Sequence, residues 1–329
     1  MTKNVATPRS YAPHYTEAHR AQVETAVAWL NEHDKTRSWL AKQISASDGL
    51  ISQVLGGKYP TDPGGWLDKV AEATGRADER KRRLQIPFVE TSVYKIVQHA
   101  CHRAHVTRSF AVVAAFVGTG KTSSLAQYAE RHANVIMVEA DPEMSPGALL
   151  MEICDLAGVV VGIKGNKVSR GTTSDRFTAI VKALRGTDRL IIVDEAETLQ
   201  ANALHYLRRI RDKAGIGVVL SGTEWLSSLL NPEKGPFGQI RSRVNYWPAV
   251  ITGITRDDTR EITQATFEKA DADVVAATWA YANGSARVLC EGLLPAIHDY
   301  GLRQGHALSA DLVHAVAKDV LSLKPRRIN

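Results

Sequence analysis

The sequence has few cysteines and no long apolar segment. Its three cysteines, Cys101, Cys154 and Cys290, have no zinc-ligand spacing and are odd in number for a disulfide framework. They favour a reducing compartment, so we expect a cytoplasmic protein. The longest apolar run, 110–117, is too short to cross a bilayer, and residues 1–15 lack the apolar stretch of a secretory signal. We therefore expect no membrane partner.

The charge of the chain is basic and unevenly spread. The 329 residues carry a net charge of +6 with a pI of about 9.2, which favours a polyanionic partner without naming one. Residues 76–83 hold five basic and two acidic side chains, and residues 164–189 hold seven basic and two acidic ones. One such stretch is usually a solvated face. Together with the DNA-binding motif described below, they favour DNA as the partner.

The length of 329 residues suggests two or three domains. Residues 1–20 show little periodicity and suggest a flexible arm, while 21–75 are typical of short helices followed by a charged connector at 76–86. From residue 88, unbroken apolar runs alternate with helical patterns, as in a parallel sheet buried on both faces. Residues 255–320 are predicted to be helical. The predicted strands are 110–117, 135–139, 190–194, 218–221 and 244–247.

A glycine-rich segment, AFVGTGKTS, follows the first predicted strand and opens a helical stretch. In that context it predicts a phosphate-binding loop, because glycine lets backbone N–H groups approach an anion and the helix N-terminus adds a favourable dipole. Lys121 would contact the β- and γ-phosphates of ATP, and the Thr122 hydroxyl would bind Mg²⁺. Ala115 replaces the first glycine of the usual pattern. The predicted ATP-binding residues here are Gly118, Thr119, Gly120, Lys121, Thr122 and Ser123.

The segment LIIVDEAE at 190–197 predicts the second half of the site. Four apolar residues place Asp194 at the carboxyl end of a buried strand, where open α/β sheets bind ligands. Asp194 would hold Mg²⁺, and Glu195 would act as the general base toward the attacking water. The alternative is an ordinary acidic turn after a strand.

Three further residues are candidates for catalysis or nucleotide binding. Thr223 follows the strand 218–221 and is expected either to sense the γ-phosphate or simply to cap the strand. Arg243, with Arg241 beside it, is placed to reach a neighbouring subunit's γ-phosphate, or else lies on the surface. Arg287 follows a Gly-Ser pair at a predicted helix start and is expected to contact the nucleotide from a helical lid.

Residues 36–58 have the spacing of a helix-turn-helix motif, because their apolar positions allow two short helices to share one core. Ser45 stands at the turn position that is often glycine, and Ser47 is predicted to cap the second helix. A helical hairpin used for protein contacts is the alternative, and Asp48 disfavours tight DNA binding. The candidate DNA-contacting residues are Ser52, Gln53 and Lys58.

These motifs together resemble the Mu B family of transposition ATPases of the AAA+ class, from about residue 36 to about residue 320. The shared features include the helix-turn-helix stretch, FVET at 88–91, GTGKT, IIVDEA, IGVVLSG, the SRV at 242–244 and GSARVL. FVET is not part of a general ATPase signature, which makes the resemblance more specific. Thr223 departs from the asparagine expected at its position. With Ala115, it marks where this chain is expected to hydrolyse ATP more slowly than the family.

The resemblance implies ATP and Mg²⁺ as cofactors, and double-stranded DNA, further copies of the chain and a transposase as partners. It implies an ATPase that forms filaments on DNA with little sequence preference and stimulates strand transfer by the transposase, in a host-cell cytoplasm if the gene is phage-borne. Lys164, Lys167, Arg170 and Arg176 are our candidates for phosphate contacts on DNA, on local charge alone. DNA binding through such phosphate contacts should weaken steeply as the salt concentration rises.

The predicted fold class is α/β, an AAA+ P-loop core with a parallel sheet and helical lid, preceded by an all-α helix-turn-helix domain. We expect the N-terminal arm and helix-turn-helix domain at 1–85, the ATPase core at 86–250, and the lid with a C-terminal extension at 251–329. The main alternative function is an ATP-gated transcription regulator. A secretion-type P-loop ATPase shares the core fold but is disfavoured by the helix-turn-helix spacing.

Overall fold

The computed structural model describes residues 5–161, 171–231 and 237–326, together with the backbone of 163–164 and 167–168. The chain divides into two compact units, Met1–Leu84 and Gln85–Asn329. Each unit has its own hydrophobic core. Among the described helices, none combines the length and apolar character needed to cross a membrane.

The described residues of the N-terminal unit form four helices. Thr16, Thr36 and Ser47 precede the first three, and each side chain accepts a hydrogen bond from the backbone N–H three residues later. These caps satisfy N–H groups that have no partner inside the helix. The cap predicted at Ser47 is thus confirmed. The helices are α1 (Glu17–Glu32), α2 (Arg37–Gln43), α3 (Asp48–Leu55) and α4 (Gly64–Lys81).

The turn between α2 and α3 takes a tight path through Ser45, whose φ of 53° lies in the left-handed region. This is the conformation for which glycine is favoured at that position. Leu40, Ala41 and Ile51 are fully buried between the helices. The Ser38 hydroxyl also donates a 2.5 Å hydrogen bond to Asp48, which ties the start of α3 to α2.

Two expectations for the N-terminal unit are wrong. Residues 5–15 do not form a free arm: the Tyr15 hydroxyl is buried and donates to the Val54 carbonyl at 3.0 Å, and the Ala12 N–H donates to the Gly57 carbonyl at 2.8 Å. Buried backbone partners far along the chain override the weak local periodicity. The connector expected from residue 76 is also helical as far as Lys81, because its charged side chains lie on the exposed end of α4.

The second unit contains a five-stranded parallel sheet with the strand order β2-β5-β6-β1-β7. Strands β1, β5 and β6 are buried along their whole length, as their apolar sequences predict. A two-stranded antiparallel ribbon lies apart from this sheet. The strands are β1 (Phe110–Ala114), β2 (Val135–Glu139), β3 (Ile163–Lys164), β4 (Lys167–Val168), β5 (Leu190–Asp194), β6 (Gly217–Gly222) and β7 (Val244–Tyr246).

Helices connect the strands and then form most of the C-terminal part as far as Val320. The crossovers between the sheet strands and the helix before β1 are α5 (Ser92–Thr107), α6 (Lys121–Arg131), α7 (Pro146–Ala157), α8 (Thr173–Leu184), α9 (Ala201–Ala214), α10 (Glu224–Leu230) and α11 (Gly238–Arg241). The helical C-terminal part, expected from the sequence, contains α12 (Arg256–Thr266), α13 (Ala272–Ala282), α14 (Leu294–Tyr300) and α15 (Ala310–Ala315), with π-helical turns at Val288–Leu293 and Val316–Val320.

Strand β1 ends three residues earlier than predicted. Phe116 and Val117 are 45% and 69% exposed, so their apolar character does not reflect burial in the sheet. Ala115 still pairs with Ile251, and the chain then turns into the glycine-rich loop. Strand β1 therefore delivers that loop to the carboxyl edge of the sheet.

Candidate active site

The glycine-rich loop leaves the N-terminus of α6 open. Gly118 and Gly120 take left-handed backbone conformations with φ of 79° and 89°, and no side chain caps α6 at Gly120. The Thr119 hydroxyl donates to the Phe116 carbonyl at 3.0 Å and closes the loop on itself. Uncapped N–H groups at a helix start bind anions. The backbone therefore fits a phosphate group, as the sequence motif predicts.

A buried charge pair links this loop to the end of β5. The Lys121 ammonium donates to Asp194 at 2.7 Å, and the Thr122 hydroxyl donates to the other oxygen of the same carboxylate at 2.7 Å. Asp194 is fully buried and Lys121 is 9% exposed. Burial alone would raise the pKa of Asp194, but the charge and hydrogen bond of Lys121 and the hydrogen bond of Thr122 hold that pKa below its ordinary value.

The donor set also fits a magnesium ion. A hydroxyl oxygen and a carboxylate oxygen that already touch each other are the hard ligands that Mg²⁺ takes beside nucleotide phosphates. Among the described residues, no group of three or more His, Cys, Asp or Glu side chains is placed to hold a metal alone. Thr122 and Asp194 would therefore hold Mg²⁺ only together with phosphate oxygens.

Glu195 follows Asp194 at the same edge of the sheet and is exposed to solvent. Its backbone is left-handed, with φ of 53°, and its N–H donates to Asp194 at 3.0 Å. A non-glycine residue in this conformation stores strain, a feature that clusters at functional sites. Glu195 thus places an exposed side chain next to Asp194 at this edge of the sheet, where the predicted base is expected.

The end of β6 lies beside Asp194 because β5 and β6 are adjacent and in register, with Val193 opposite Leu220. Thr223 follows β6, and its hydroxyl is buried without a hydrogen-bond partner. It does not cap α10, although Thr223 is the residue before that helix. The buried hydroxyl makes no hydrogen bond at the end of β6 either.

Glu197 is a site residue that the sequence motifs did not indicate. Its Oε1 accepts a 2.7 Å hydrogen bond from the Thr223 backbone N–H, while its Oε2 is buried and unpartnered. The only sequence signal was its place two residues after Glu195, in a turn where an acidic residue is common. The contact joins two loops that are 26 residues apart.

The helical C-terminal part contacts the phosphate loop directly. The Arg287 N–H donates to the Gly118 carbonyl at 2.9 Å, and a Cβ added at Gly118 would lie 2.7 Å from the Ser285 hydroxyl oxygen. The Arg287 side chain is exposed, and its nearest ion-pair partner is Glu291 at 3.8 Å. The structure thus brings the predicted lid residue to the loop.

Arg243 lies at the opposite edge of the sheet from the phosphate loop. Its carbonyl accepts from the N–H of Phe110, the first residue of β1, whereas the loop follows the last one. The guanidinium donates to Asp212 at 2.8 Å and to the Gln239 carbonyl at 2.6 Å. Arg241 donates to Asn231 and lies over the Trp247 ring. The structure does not bring Arg243 to the site of its own subunit.

The candidate DNA-contacting residues lie in both units. Ser52, Gln53 and Lys58 are exposed on the N-terminal unit. Arg176 donates to the Gly147 carbonyl at 2.9 Å, so one of its N–H groups is already used in a hydrogen bond within the protein. The side chains of Lys164 and Lys167, and the whole of Arg170, lie outside the described residues.

Residues 102–230 match the family described as "AAA domain". These residues form an AAA-type ATPase domain. The fold of this ATPase agrees with that of Cdc6p from Pyrobaculum aerophilum, with a TM-score of 0.53 at 17% identity over 72% of this chain and 69% of the other. The predicted α/β fold of the AAA+ class is confirmed.

The resemblance drawn from the motifs is also confirmed. The ATPase is 28% identical over 252 residues to the Mu-like prophage FluMu DNA transposition protein B of Haemophilus influenzae, covering 76% of this chain and 82% of the relative. It is 28% identical over 208 residues to the ATP-dependent target DNA activator B of Escherichia phage Mu, covering 61% of this chain. The matched part spans 64% of the phage Mu protein's length.

Proposed function

We propose that this ATPase is an ATP-dependent target DNA activator in transposition. It would bind duplex DNA with little sequence preference as a filament, deliver that DNA to a partner transposase and stimulate strand transfer. The names of the relatives, which refer to DNA transposition and to ATP-dependent target DNA activation, support this role. In the fold, the observation that carries it is the position of Arg243, far from the phosphate loop of its own chain.

Within one subunit, each residue of the proposed ATP site has a separate task. The open N-terminus of α6 binds phosphate, and Lys121 shares its charge between Asp194 and the γ-phosphate. Thr122 and Asp194 would hold Mg²⁺, which would supply positive charge to neutralise the phosphates. Glu195 takes the proton of the attacking water, and the Thr223 hydroxyl orients that water. We place the boundary between the ATPase core and the lid at residue 250, so Arg287 would contact the nucleotide from the lid.

Arg243 would complete the site of a neighbouring subunit. Its backbone pairs with the start of β1, and the five residues of that strand separate it from the loop by about 13 Å. An arginine at the phosphates stabilises the charge that develops during transfer. In the free subunit Asp212 pairs with this guanidinium, so assembly must exchange one anionic partner for another. Hydrolysis would therefore depend on assembly.

The proposed DNA contacts combine both units. Ser52, Gln53 and Lys58 would meet DNA from the N-terminal unit, and Lys164, Lys167 and Arg170 would meet its phosphates from the second unit. A contact by Arg176 would compete with its hydrogen bond to Gly147. A grip made mostly of phosphate contacts gives weak sequence preference and a steep dependence on salt.

Turnover per subunit tests the proposed assembly. We expect the rate at saturating ATP to rise with protein concentration, and to rise further with duplex DNA and with transposase. Arg243→Ala should abolish this rise, whereas Arg260→Ala, an exposed arginine of α12, should not. A rate that is already maximal at high dilution without DNA contradicts the assembly mechanism. Mixing the two inactive variants tests whether Arg243 acts on a neighbour. Arg243→Ala and Lys121→Ala chains together should regain activity, because some sites then combine Lys121 of one chain with Arg243 of the other.

Competition between DNA sequences tests the alternative function. A random duplex should displace any labelled duplex with nearly equal strength. The exposed face of α3 in the helix-turn-helix is the observation that favours a sequence-specific regulator instead. Strong preference for one duplex would support that regulator and contradict a target activator.

A further inference from the structure

We infer that Glu197 is a positioning residue for ATP hydrolysis, acting through the backbone of Thr223. This inference rests on the proposed role of Thr223 in orienting water. Glu197 belongs to the short 3-10 turn Ala196–Thr198, directly after the strand that carries Asp194 and Glu195. Its carboxylate reaches across to the end of the neighbouring strand and accepts the Thr223 N–H at 2.7 Å.

The contact holds the two loops of the site at a fixed spacing. Strands β5 and β6 are paired only as far as Val193 and Leu220, so the residues beyond have no ladder between them. The Glu197 carboxylate links the two loops beyond that pair, at Thr223, three residues after Leu220. A carboxylate is a stronger acceptor than a neutral group and gives shorter bonds. It therefore restricts where the Thr223 hydroxyl, buried and unpartnered, stands relative to Asp194.

The packing at Gly222 shows that the Glu197 carboxylate occupies a defined space beside β6. A Cβ added at Gly222 would lie 1.9 Å from Glu197 Oε2, which no real contact permits. The φ of Gly222 is not in the left-handed region, so backbone conformation does not require glycine there. Glycine is needed there because a larger residue would fill the space that the Glu197 carboxylate occupies. Glycine at 222 and glutamate at 197 are thus one steric unit.

Two substitutions at Glu197 test the inference by steady-state kinetics. Glu197→Ala removes the acceptor, and we expect kcat to fall about tenfold with little change in the KM for ATP, because binding uses other residues. Glu197→Gln keeps an acceptor oxygen and should retain at least half of kcat. Glu261→Ala, an exposed glutamate on α12, is the matched control. Equal loss in the Ala and Gln variants overturns the inference, as does an unchanged kcat in Glu197→Ala.

A double-mutant cycle separates positioning from simple stabilisation. Thr223→Val removes the hydroxyl but keeps the backbone N–H, and we expect Glu197→Ala to cost almost nothing further in kcat when added to it. Additive losses contradict action through Thr223. Gly222→Ala should push the carboxylate away and reproduce the kcat loss of Glu197→Ala. A full kcat in Gly222→Ala, with the chain folded by circular dichroism, contradicts the steric unit.

The outcomes also distinguish this inference from the proposed function on which it rests. Full activity in Thr223→Val would remove the role proposed for the threonine itself. Impaired Thr223→Val with full activity in Glu197→Ala would leave that role in place and overturn only the inference. A variant that loses melting temperature but keeps kcat per folded chain shows a purely structural contact, which also overturns it.

Discussion

The two units of the chain handle polar groups differently. In the N-terminal unit, the buried side chains of the described residues are apolar except for Tyr15 and Thr74, whose hydroxyls donate to backbone carbonyls. In the second unit, Lys121, Asp194 and Asp258 are buried with their charges. Buried charges are costly and persist where partners compensate and function needs them. The buried charges of the second unit therefore indicate where its chemistry takes place. Any binding by the first unit would use its exposed side chains.

The largest expected effect is on hydrolysis. Lys121→Ala removes the charge that faces the transferred phosphoryl group, and the rate of phosphate release should fall about a thousandfold. The exposed Lys269 offers a control, since Lys269→Ala should keep the full rate. Hydrogen exchange in residues 5–84 should stay the same in both variants. More than a tenth of the normal rate in Lys121→Ala would contradict the assignment of the loop.

A buried carboxylate outside the nucleotide site should dominate the stability of the second unit. Asp258 accepts from the Ser92 N–H at 2.7 Å, the Ser92 hydroxyl at 2.5 Å and the Thr255 N–H at 2.7 Å, which joins α5 to α12. Asp258→Ala leaves these donors unpaired and should lower the free energy of unfolding by about 3 kcal/mol. The measurement is urea unfolding followed by hydrogen exchange in each unit.

The neighbouring aspartate provides the control for that experiment. Asp257 is 75% exposed and pairs with Arg260 at 2.9 Å. Exposed pairs contribute little, so Asp257→Ala should change stability by less than about 0.5 kcal/mol. Similar losses in the two variants would show that negative charge at the start of α12, and not the link to Ser92, accounts for the effect.

Acid should weaken the second unit through the same buried groups. Burial opposes ionisation of Asp194 and Asp258, but their partners outweigh it and lower both pKa values. A carboxylate with a lowered folded pKa stabilises the fold above its unfolded pKa, and that contribution disappears as pH falls through the folded pKa. Stability measured from about pH 5 to about pH 2.5 should therefore decline, less steeply in Asp258→Asn. An equal decline in that variant contradicts the role of Asp258.

A smaller effect is expected at the helix-turn-helix. Ser47→Ala removes the cap of α3 and should destabilise the N-terminal unit by about 1 kcal/mol. Ser52→Ala lies on the exposed side of the same helix and should change stability by less than about 0.5 kcal/mol. Exchange rates of α3 amides report both variants. Unchanged rates in Ser47→Ala would mean that packing alone fixes the helix start.

The smallest expected effect concerns DNA. Lys58 is exposed and is one of several proposed phosphate contacts, so Lys58→Ala should weaken binding to duplex DNA about two- to threefold at moderate salt. The slope of log affinity against log salt should fall by about one. Lys318→Ala, on the exposed C-terminal part, is the control. A loss far above tenfold would show that the N-terminal unit dominates DNA binding.

Local patterns predict the second unit well because its central strands β1, β5 and β6 are apolar runs buried along their whole length. The strands Val135–Glu139 and Leu190–Asp194 have the predicted bounds, and the loop and Asp194 meet as their spacing implies. Features that depend on distant partners were inaccessible to such patterns. Tyr15 is ordered by Val54, and Glu197 meets Thr223 only because β5 and β6 are neighbours. The roles of Glu195, Arg243 and the DNA-contacting residues stay predictions.

The contact at Gly118 changes how genetic data on this loop should be interpreted. Loss of function in a Gly118 variant is ordinarily attributed to weaker phosphate binding, because a side chain would crowd the anion. Here the same side chain would first meet Ser285 and Arg287. A screen that scores only nucleotide affinity would therefore not distinguish two defects. One is weaker phosphate binding by the loop, and the other is poorer packing of the loop against the C-terminal helices. Suppressors that arise at Ser285 would tell them apart.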